Sequence, residues 1–202
     1  MIPGGSLGAA ATWTSAGSPY IVQGDAIVPA GGTLTIEAGA EVRFASSDAL
    51  GSGRDAARVE LEVHGTLDVN GTLASPVTFR ANSGTATNTW YGIIAASDAA
   101  SVTVDHATVQ HARRAVSFAS SSGTQMLTDV TVERCSERGV EIEAGSPALT
   151  RLRATQTEYG VRVNNAASAT IDESVIWDQA NYGIYISTNG TTPGDTVVSQ
   201  ST

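Results

Sequence analysis

Lysine is absent from the sequence, so all 11 basic side chains are arginine, and 20 acidic residues leave a net charge of −9. An acidic surface repels the phosphates of nucleic acids and the headgroups of anionic lipids. No hydrophobic run approaches the roughly 18 residues that a membrane-spanning helix needs. These absences argue against nucleic-acid binding and against membrane insertion.

Cysteine is nearly absent as well. The single Cys135 excludes an intramolecular disulfide framework and a cluster of thiolate metal ligands. The three histidines, at positions 64, 106 and 111, are too few and too scattered to predict a metal site, and we expect no cofactor. The chain starts without the basic and apolar regions of a signal peptide. We nevertheless expect a secreted or cell-surface protein whose leader is missing from this sequence.

A short pattern recurs five times and gives the chain its period. Each copy places a small residue before a strand in which the first and third positions are apolar. The small residues are Gly92, Ala115, Gly139, Gly160 and Gly183, at steps of 23, 24, 21 and 23 residues. Alternating apolar positions are typical of half-buried strands and do not fit a helical repeat. A unit of this length fits three short strands joined by turns.

Stacked units of this kind bury their apolar sides against one another and form parallel sheets. The sequence therefore predicts an all-β fold, a single-stranded right-handed parallel β-helix (β-solenoid). We expect about six coils of roughly 21–27 residues each. The right-handed sense follows from the rule for parallel crossovers. We expect one domain over 1–202, with an N-terminal cap segment at 1–20 and a loop excursion at 45–58. Shorter excursions are expected near 83–89 and 187–195. The last strand has no capping helix after it, so we expect the C-terminal end to be truncated.

The N-terminal coils resemble those of a known family. The likeness rests on Ile27-Val28-Pro29-Ala30-Gly31-Gly32-Thr33-Leu34, on Gly65-Thr66-Leu67 with the residues up to Phe79, and on Trp90-Tyr91-Gly92-Ile93. These phrases resemble the bacterial right-handed parallel β-helix repeat proteins. The resemblance implies an extracellular setting, often without enzymatic activity. Pectate lyases, polygalacturonases and phage tailspikes share the architecture, so the fold does not define the chemistry.

Stacking the repeats aligns two columns of side chains. The residues before the bends form one column, and the middle strand positions Ile94, Ser117, Glu141, Arg162 and Tyr185 form the other. Equivalent positions in adjacent coils lie about 4.8 Å apart, a spacing at which aromatic and guanidinium faces can bind a sugar chain or a peptide. The predicted ligand-binding residues are Tyr91, Arg114, Arg138, Tyr159, Tyr182 and Tyr185. The alternative is that these side chains only decorate the surface, with Glu141 and Arg162 in an ion pair.

Three functions remain open on the sequence. The first is a non-enzymatic structural and adhesive module that presents this lateral face to a polysaccharide or a surface protein. The second is a polysaccharide lyase or glycoside hydrolase, whose carboxylates would be Asp105, Asp129 and Asp172 with Arg113 or Arg138 alongside; calcium is expected only in the lyase case. The third is a scaffold that self-associates through exposed coil ends.

Overall fold

Short strands stack into parallel sheets around one continuous apolar core in the computed structural model, which describes residues 1–164, 167–187 and 194–202. The strands are β1 (Gly5–Ser6), β2 (Ala10–Trp13), β3 (Tyr20–Val22), β4 (Ala26–Val28), β5 (Thr33–Glu37), β6 (Glu41–Phe44), β7 (Glu60–Val63), β8 (Thr66–Asn70), β9 (Val77–Ala81), β10 (Gly92–Ala95), β11 (Ser101–Gln110), β12 (Arg114–Phe118), β13 (Thr124–Glu133), β14 (Arg138–Ile142), β15 (Ala148–Thr150), β16 (Arg153–Thr155), β17 (Tyr159–Asn164), β18 (Ala169–Asp172), β19 (Val175–Trp177), β20 (Tyr182–Ser187) and β21 (Thr196–Ser199).

The strands build three faces. Face 1 is an eight-stranded sheet in the order β1-β4-β7-β10-β12-β14-β17-β20. Face 2 follows the order β2-β5-β8-β11-β13-β15-β18-β21, and face 3 contains β3, β6, β9, the second halves of β11 and β13, β16 and β19. Every one of these pairings is parallel. The predicted right-handed parallel β-helix is confirmed.

Face 1 shows eight levels where the sequence indicated about six coils. Residues 1–20, predicted as a cap, contribute β1 and β2 to the sheets, and Trp13 is buried in the core. This first level was not recognised in the sequence, because β1 is only two residues long and lacks the alternating apolar positions of the repeat. Of the excursion predicted near 187–195, residues 188–193 lie outside the described part of the chain. Within that part, no helix has the length and apolar character needed to cross a membrane.

Three of the small residues that defined the period, Gly92, Gly139 and Gly160, lie where neighbouring coils come closest. A Cβ atom on Gly92 would stand 1.7 Å from the carbonyl oxygen of Arg114 in the next coil, and Gly92 has a φ of +148°. A Cβ on Gly139 would stand 2.5 Å from the carbonyl oxygen of Gly160. Glycine is therefore needed at Gly92 for both space and backbone conformation.

Two corners turn on residues other than glycine. Left-handed backbone conformations, with φ between 46° and 64°, stack in two columns: His106, Asp129, Arg151, Glu173 and Gln200 between faces 2 and 3, and His111, Arg134, Gln156 and Asp178 after face 3. Each such residue costs about 1–2 kcal/mol relative to a glycine. Long parallel ladders on both sides of each corner impose the conformation.

Candidate functional site

The column predicted from the bends exists on the outer side of face 1. Arg114 pairs with Arg138, Arg138 with Tyr159, and Tyr159 with Tyr182, each one level apart. Tyr91 continues the column below Arg114, whose backbone N–H donates to the carbonyl oxygen of Tyr91 at 2.8 Å. Two arginines therefore lie between tyrosines above and below, and the guanidinium of Arg138 lies 5.5 Å from the ring centre of Tyr159.

Three tyrosines form a patch at the upper end of this column, which we call the tyrosine patch: Tyr159, Tyr182 and Tyr185. Their ring centres lie 5.3–5.8 Å apart. Tyr182 is 53% exposed, and the guanidinium of Arg162 lies 6.0 Å from the ring centres of both Tyr159 and Tyr185. Such aromatic faces beside cations bind sugar rings and other flat or cationic groups.

Below the patch, the arginines are tied to carboxylates. Glu141 is only 3% exposed and has three guanidinium groups around it, from Arg114 at 2.8 Å, Arg138 at 3.5 Å and Arg162 at 3.6 Å. The ion pair predicted between Glu141 and Arg162 is confirmed. Burial alone would raise the pKa of Glu137, but hydrogen bonds from Arg114 and Arg113 hold that pKa below its ordinary value. Glu137 is therefore ionised at neutral pH and engaged by both arginines.

The lower end of the column is covered. Tyr91 is 5% exposed, and Ile94 and Ser117, which alternate with core residues and point outward, are fully buried. The segment 45–59 between β6 and β7, which we call the strap, passes over this end, with Arg54 near Tyr91 and bonded to Glu143. The predicted loop excursion at 45–58 does leave the coil, but it folds back over face 1.

Side chains hold the strap across several coils. Arg54, at the level of β7, donates a hydrogen bond at 2.8 Å to Glu143, which follows the end of β14. Since β10 and β12 lie between β7 and β14 in the sheet, the Arg54 side chain crosses both of these strands. Asp55 accepts hydrogen bonds from Arg58 at 2.7 Å and from Arg113 at 3.1 Å. Sequence periodicity could not show these contacts, because the partners are 89 and 58 residues apart.

Underneath the strap lie two adjacent carboxyl groups, Asp25 and Glu60. The backbone N–H of Glu60 donates to Asp25 at 2.9 Å, and Ser52 of the strap donates its hydroxyl to the same carboxylate at 2.6 Å. Glu60 is 0% exposed, and burial raises its pKa to about 7, with Asp25 adding to the shift. Reasoning from the sequence missed this pair, since neither residue belongs to a recognisable motif.

The aspartates proposed for catalysis lie elsewhere, at the corner between faces 2 and 3. His106 contacts Asp105 at 2.6 Å and Asp129 at 3.7 Å. Asp172 is not part of this group and accepts a hydrogen bond from Ser199 at 2.7 Å. Arg113 and Arg138, which we expected alongside, belong to face 1 and contact Glu137 there. The structure therefore brings two of the three aspartates together, and brings neither arginine to them.

A shallow groove of about 450 Å³ runs along this corner, lined by Leu73, Pro76, His106, Asp129, Arg151 and Arg153 among others. Ligand atoms of Asp105, His106 and Asp129 lie within 4.8 Å of one another. Both oxygens of Asp129, however, accept from Arg151, at 2.8 and 2.6 Å, and these bonds lower the pKa of Asp129. A cation would have to displace that guanidinium. The 23-residue spacing of His106 and Asp129, one coil, is the signal that could have placed them side by side.

The stacked parallel sheets define a parallel β-helix repeat protein, and one lateral face carries a column of tyrosine and arginine side chains. Residues 5–126 match the family of pectate-lyase-like β-helix domains. Since this match covers more than half of the chain, the protein belongs to that family. No curated protein and no solved structure matches it. Membership fits a carbohydrate-active or structural β-helix.

Proposed function

We propose that this protein is a non-enzymatic β-helix module that binds a polysaccharide, or a glycan on a surface protein, through the tyrosine patch of face 1. The observation that carries the proposal is the patch itself, three rings within 5.8 Å of each other on the two neighbouring strands β17 and β20. Rings at the spacing of β-strands can stack on successive sugars of an extended chain, and Arg138 and Arg162 beside them can donate hydrogen bonds to hydroxyl or carboxylate groups.

The carboxylates of face 1 support binding rather than catalysis. A glycosidase needs a proton-donating carboxyl group with a raised pKa beside the scissile bond. Glu137 and Glu141 are engaged by arginines, and Glu60, whose pKa is raised to about 7, lies beneath the strap. The one group described on this face with a pKa raised to about 7, Glu60, is therefore closed to a ligand.

The setting we propose is secreted or cell-surface, because extended glycans are found there and the acidic surface favours solubility. A net charge of −9 also disfavours nucleic acid as the partner.

A glycan array tests the proposal directly, with wild type compared against Tyr182→Ala and Tyr185→Ala. We expect binding to fall at least ~5-fold in both variants, since a stacking ring contributes roughly 1–3 kcal/mol. Trp177→Ala is the matched control, because Trp177 is an exposed aromatic residue on face 3. Equal binding by all four proteins would refute the tyrosine patch as the site.

The second candidate is a carbohydrate-active enzyme working at the corner groove, favoured by the approach of His106 to Asp105 and Asp129. A polysaccharide-degradation panel with and without Ca²⁺ distinguishes the two. Turnover that is lost in His106→Ala and retained in Tyr182→Ala would establish the enzyme. Binding without turnover would support the module.

A further inference from the structure

Polar contacts, rather than apolar burial, hold the strap on face 1. Apart from Val59, which belongs to the core where the strap joins β7, Leu50 is its one large apolar side chain among those described, and it is half exposed. The strap's hydrogen bonds converge instead on the buried carboxyl groups: Ser52 donates to Asp25, and the backbone N–H of Asp55 donates to one oxygen of Glu60 at 2.7 Å. Segments held in this way open at low free-energy cost compared with the core.

The second oxygen of Glu60 is buried and has no hydrogen-bond partner among the described residues. A buried carboxylate oxygen without a donor is costly, whereas a protonated carboxyl group is much less so. Gly53 presses against this carboxyl group, since a Cβ there would stand 2.7 Å from its carbon atom. The closed strap therefore fits the protonated form of Glu60.

The charges around Glu60 come from every segment that packs on it, and most are negative. Asp25 precedes β4, Glu62 follows on β7 itself, and the strap contributes Asp48 and Asp55 near the carboxyl pair. The guanidinium of Arg54, in the strap, interacts with Glu60 but donates its hydrogen bond to Glu143. Tyr91, one level above, lies near both Glu60 and Arg54. Burial is the largest cause that raises the pKa of Glu60 and of Asp25, and repulsion from neighbouring acids raises both further.

We propose that the strap is a pH-dependent gate on the ligand-binding face, closed while Glu60 is protonated and opened when Glu60 ionises. Opening uncovers Tyr91, Ile94 and Ser117 and breaks the bond from Arg54 to Glu143, so the accessible column lengthens from the tyrosine patch down to the level of β10. The identity of the ligand rests on the proposed function, whereas the gate itself does not. Longer ligands gain contacts in the open state, and short ones that cover only the patch do not.

Hydrogen exchange of the strap amides, corrected for intrinsic rates, tests the gate without any ligand. Between pH 5.5 and 8.5 we expect protection of residues 45–59 to fall about 30-fold, the factor given by a pKa that moves from about 7 when closed to about 4.5 when open. Glu60→Gln should abolish this dependence. Glu62→Gln, on the same strand, is the control: it removes only a neighbouring charge, so the pH dependence should remain, displaced to lower pH. Equal pH dependence in wild type and Glu60→Gln would overturn the proposal.

A second variant covers the case in which Glu60→Gln folds poorly. Asp25→Asn removes a neighbouring negative charge, so Glu60 in the closed state ionises at lower pH. The loss of protection should then be smaller and complete at lower pH, and an unchanged profile would contradict the gate. Affinity for a glycan identified on the array then tests the link to binding. A long oligosaccharide that binds more tightly at pH 8.5 than at pH 5.5 supports regulation. If affinity is equal at the two pH values while hydrogen exchange of the strap remains pH-dependent, the gate exists but does not regulate binding. Absence of any glycan binding rejects the proposed function alone.

Discussion

Replacing Gly92 by alanine tests the explanation of the repeat most sharply. The new Cβ would lie 1.7 Å from the carbonyl oxygen of Arg114, where real Cβ atoms stay beyond 3.0 Å. That carbonyl is backbone of the next coil, so it cannot move without shifting β12 against β10. We therefore expect the two coils to separate locally rather than to adapt.

The cost has three contributions. The positive φ of +148° disfavours alanine by about 1–2 kcal/mol. Overpacking of a close contact costs about 1–3 kcal/mol, and each backbone hydrogen bond lost between the two strands adds about 1 kcal/mol. Together they predict a loss of about 4 kcal/mol in the free energy of unfolding.

Urea denaturation followed by circular dichroism measures this loss, with two glycines as controls. Gly84→Ala has a φ of +70° and open space around the Cβ, so it should lose only about 1 kcal/mol. Gly183→Ala belongs to the same column as Gly92 but meets its nearest atom at 3.5 Å, an ordinary contact, and should be nearly neutral. If Gly92→Ala lost no more than Gly84→Ala, close coil approach would not be the reason for the small residue.

Three further predictions concern titratable groups. The free energy of unfolding should fall by about 3 kcal/mol as the pH rises from 4.5 to about 7, because over this range Glu60 keeps its proton in the folded state and loses it in the unfolded chain. Glu60→Gln should remove this pH dependence. A wild-type protein without it would contradict the raised pKa. Glu141→Gln should destabilise the fold by roughly 3 kcal/mol, since it removes the negative charge from among three arginines, and added salt should recover part of the loss; an unchanged urea midpoint would refute the network. Cys135 is 2% exposed, and burial raises its pKa to about 12, so it should react with a thiol reagent at pH 8 only in denaturant, and rapid native labelling would contradict its burial.

The sequence alone was sufficient for the register of face 1 from β10 to β20. Small residues at nearly constant steps placed Arg114, Arg138, Tyr159 and Tyr182 in one column, and the structure pairs them in that way. The reason is physical: a parallel stack repeats its environment at every level, so one period fixes all the neighbours along a face.

The strap and the left-handed corners could not be predicted in the same way. Arg54 and Glu143 are joined through an excursion that interrupts the period, so no repeat relates them. His106 and Arg151 adopt left-handed conformations that local preference assigns to glycine or asparagine. Ladders on both sides of each corner override that preference, and such tertiary effects leave no local pattern.

The link from Arg54 to Glu143 gives the solenoid a mechanical consequence. Hydrogen bonds between coils run along the axis, so tension applied to the two ends peels coils off in sequence, each releasing about 70 Å of chain. The strap ties the level of β7 to that of β14 by side chains that bypass the ladders between them. Peeling from either end therefore reaches a block of four levels that must yield together, unless the strap has first been released.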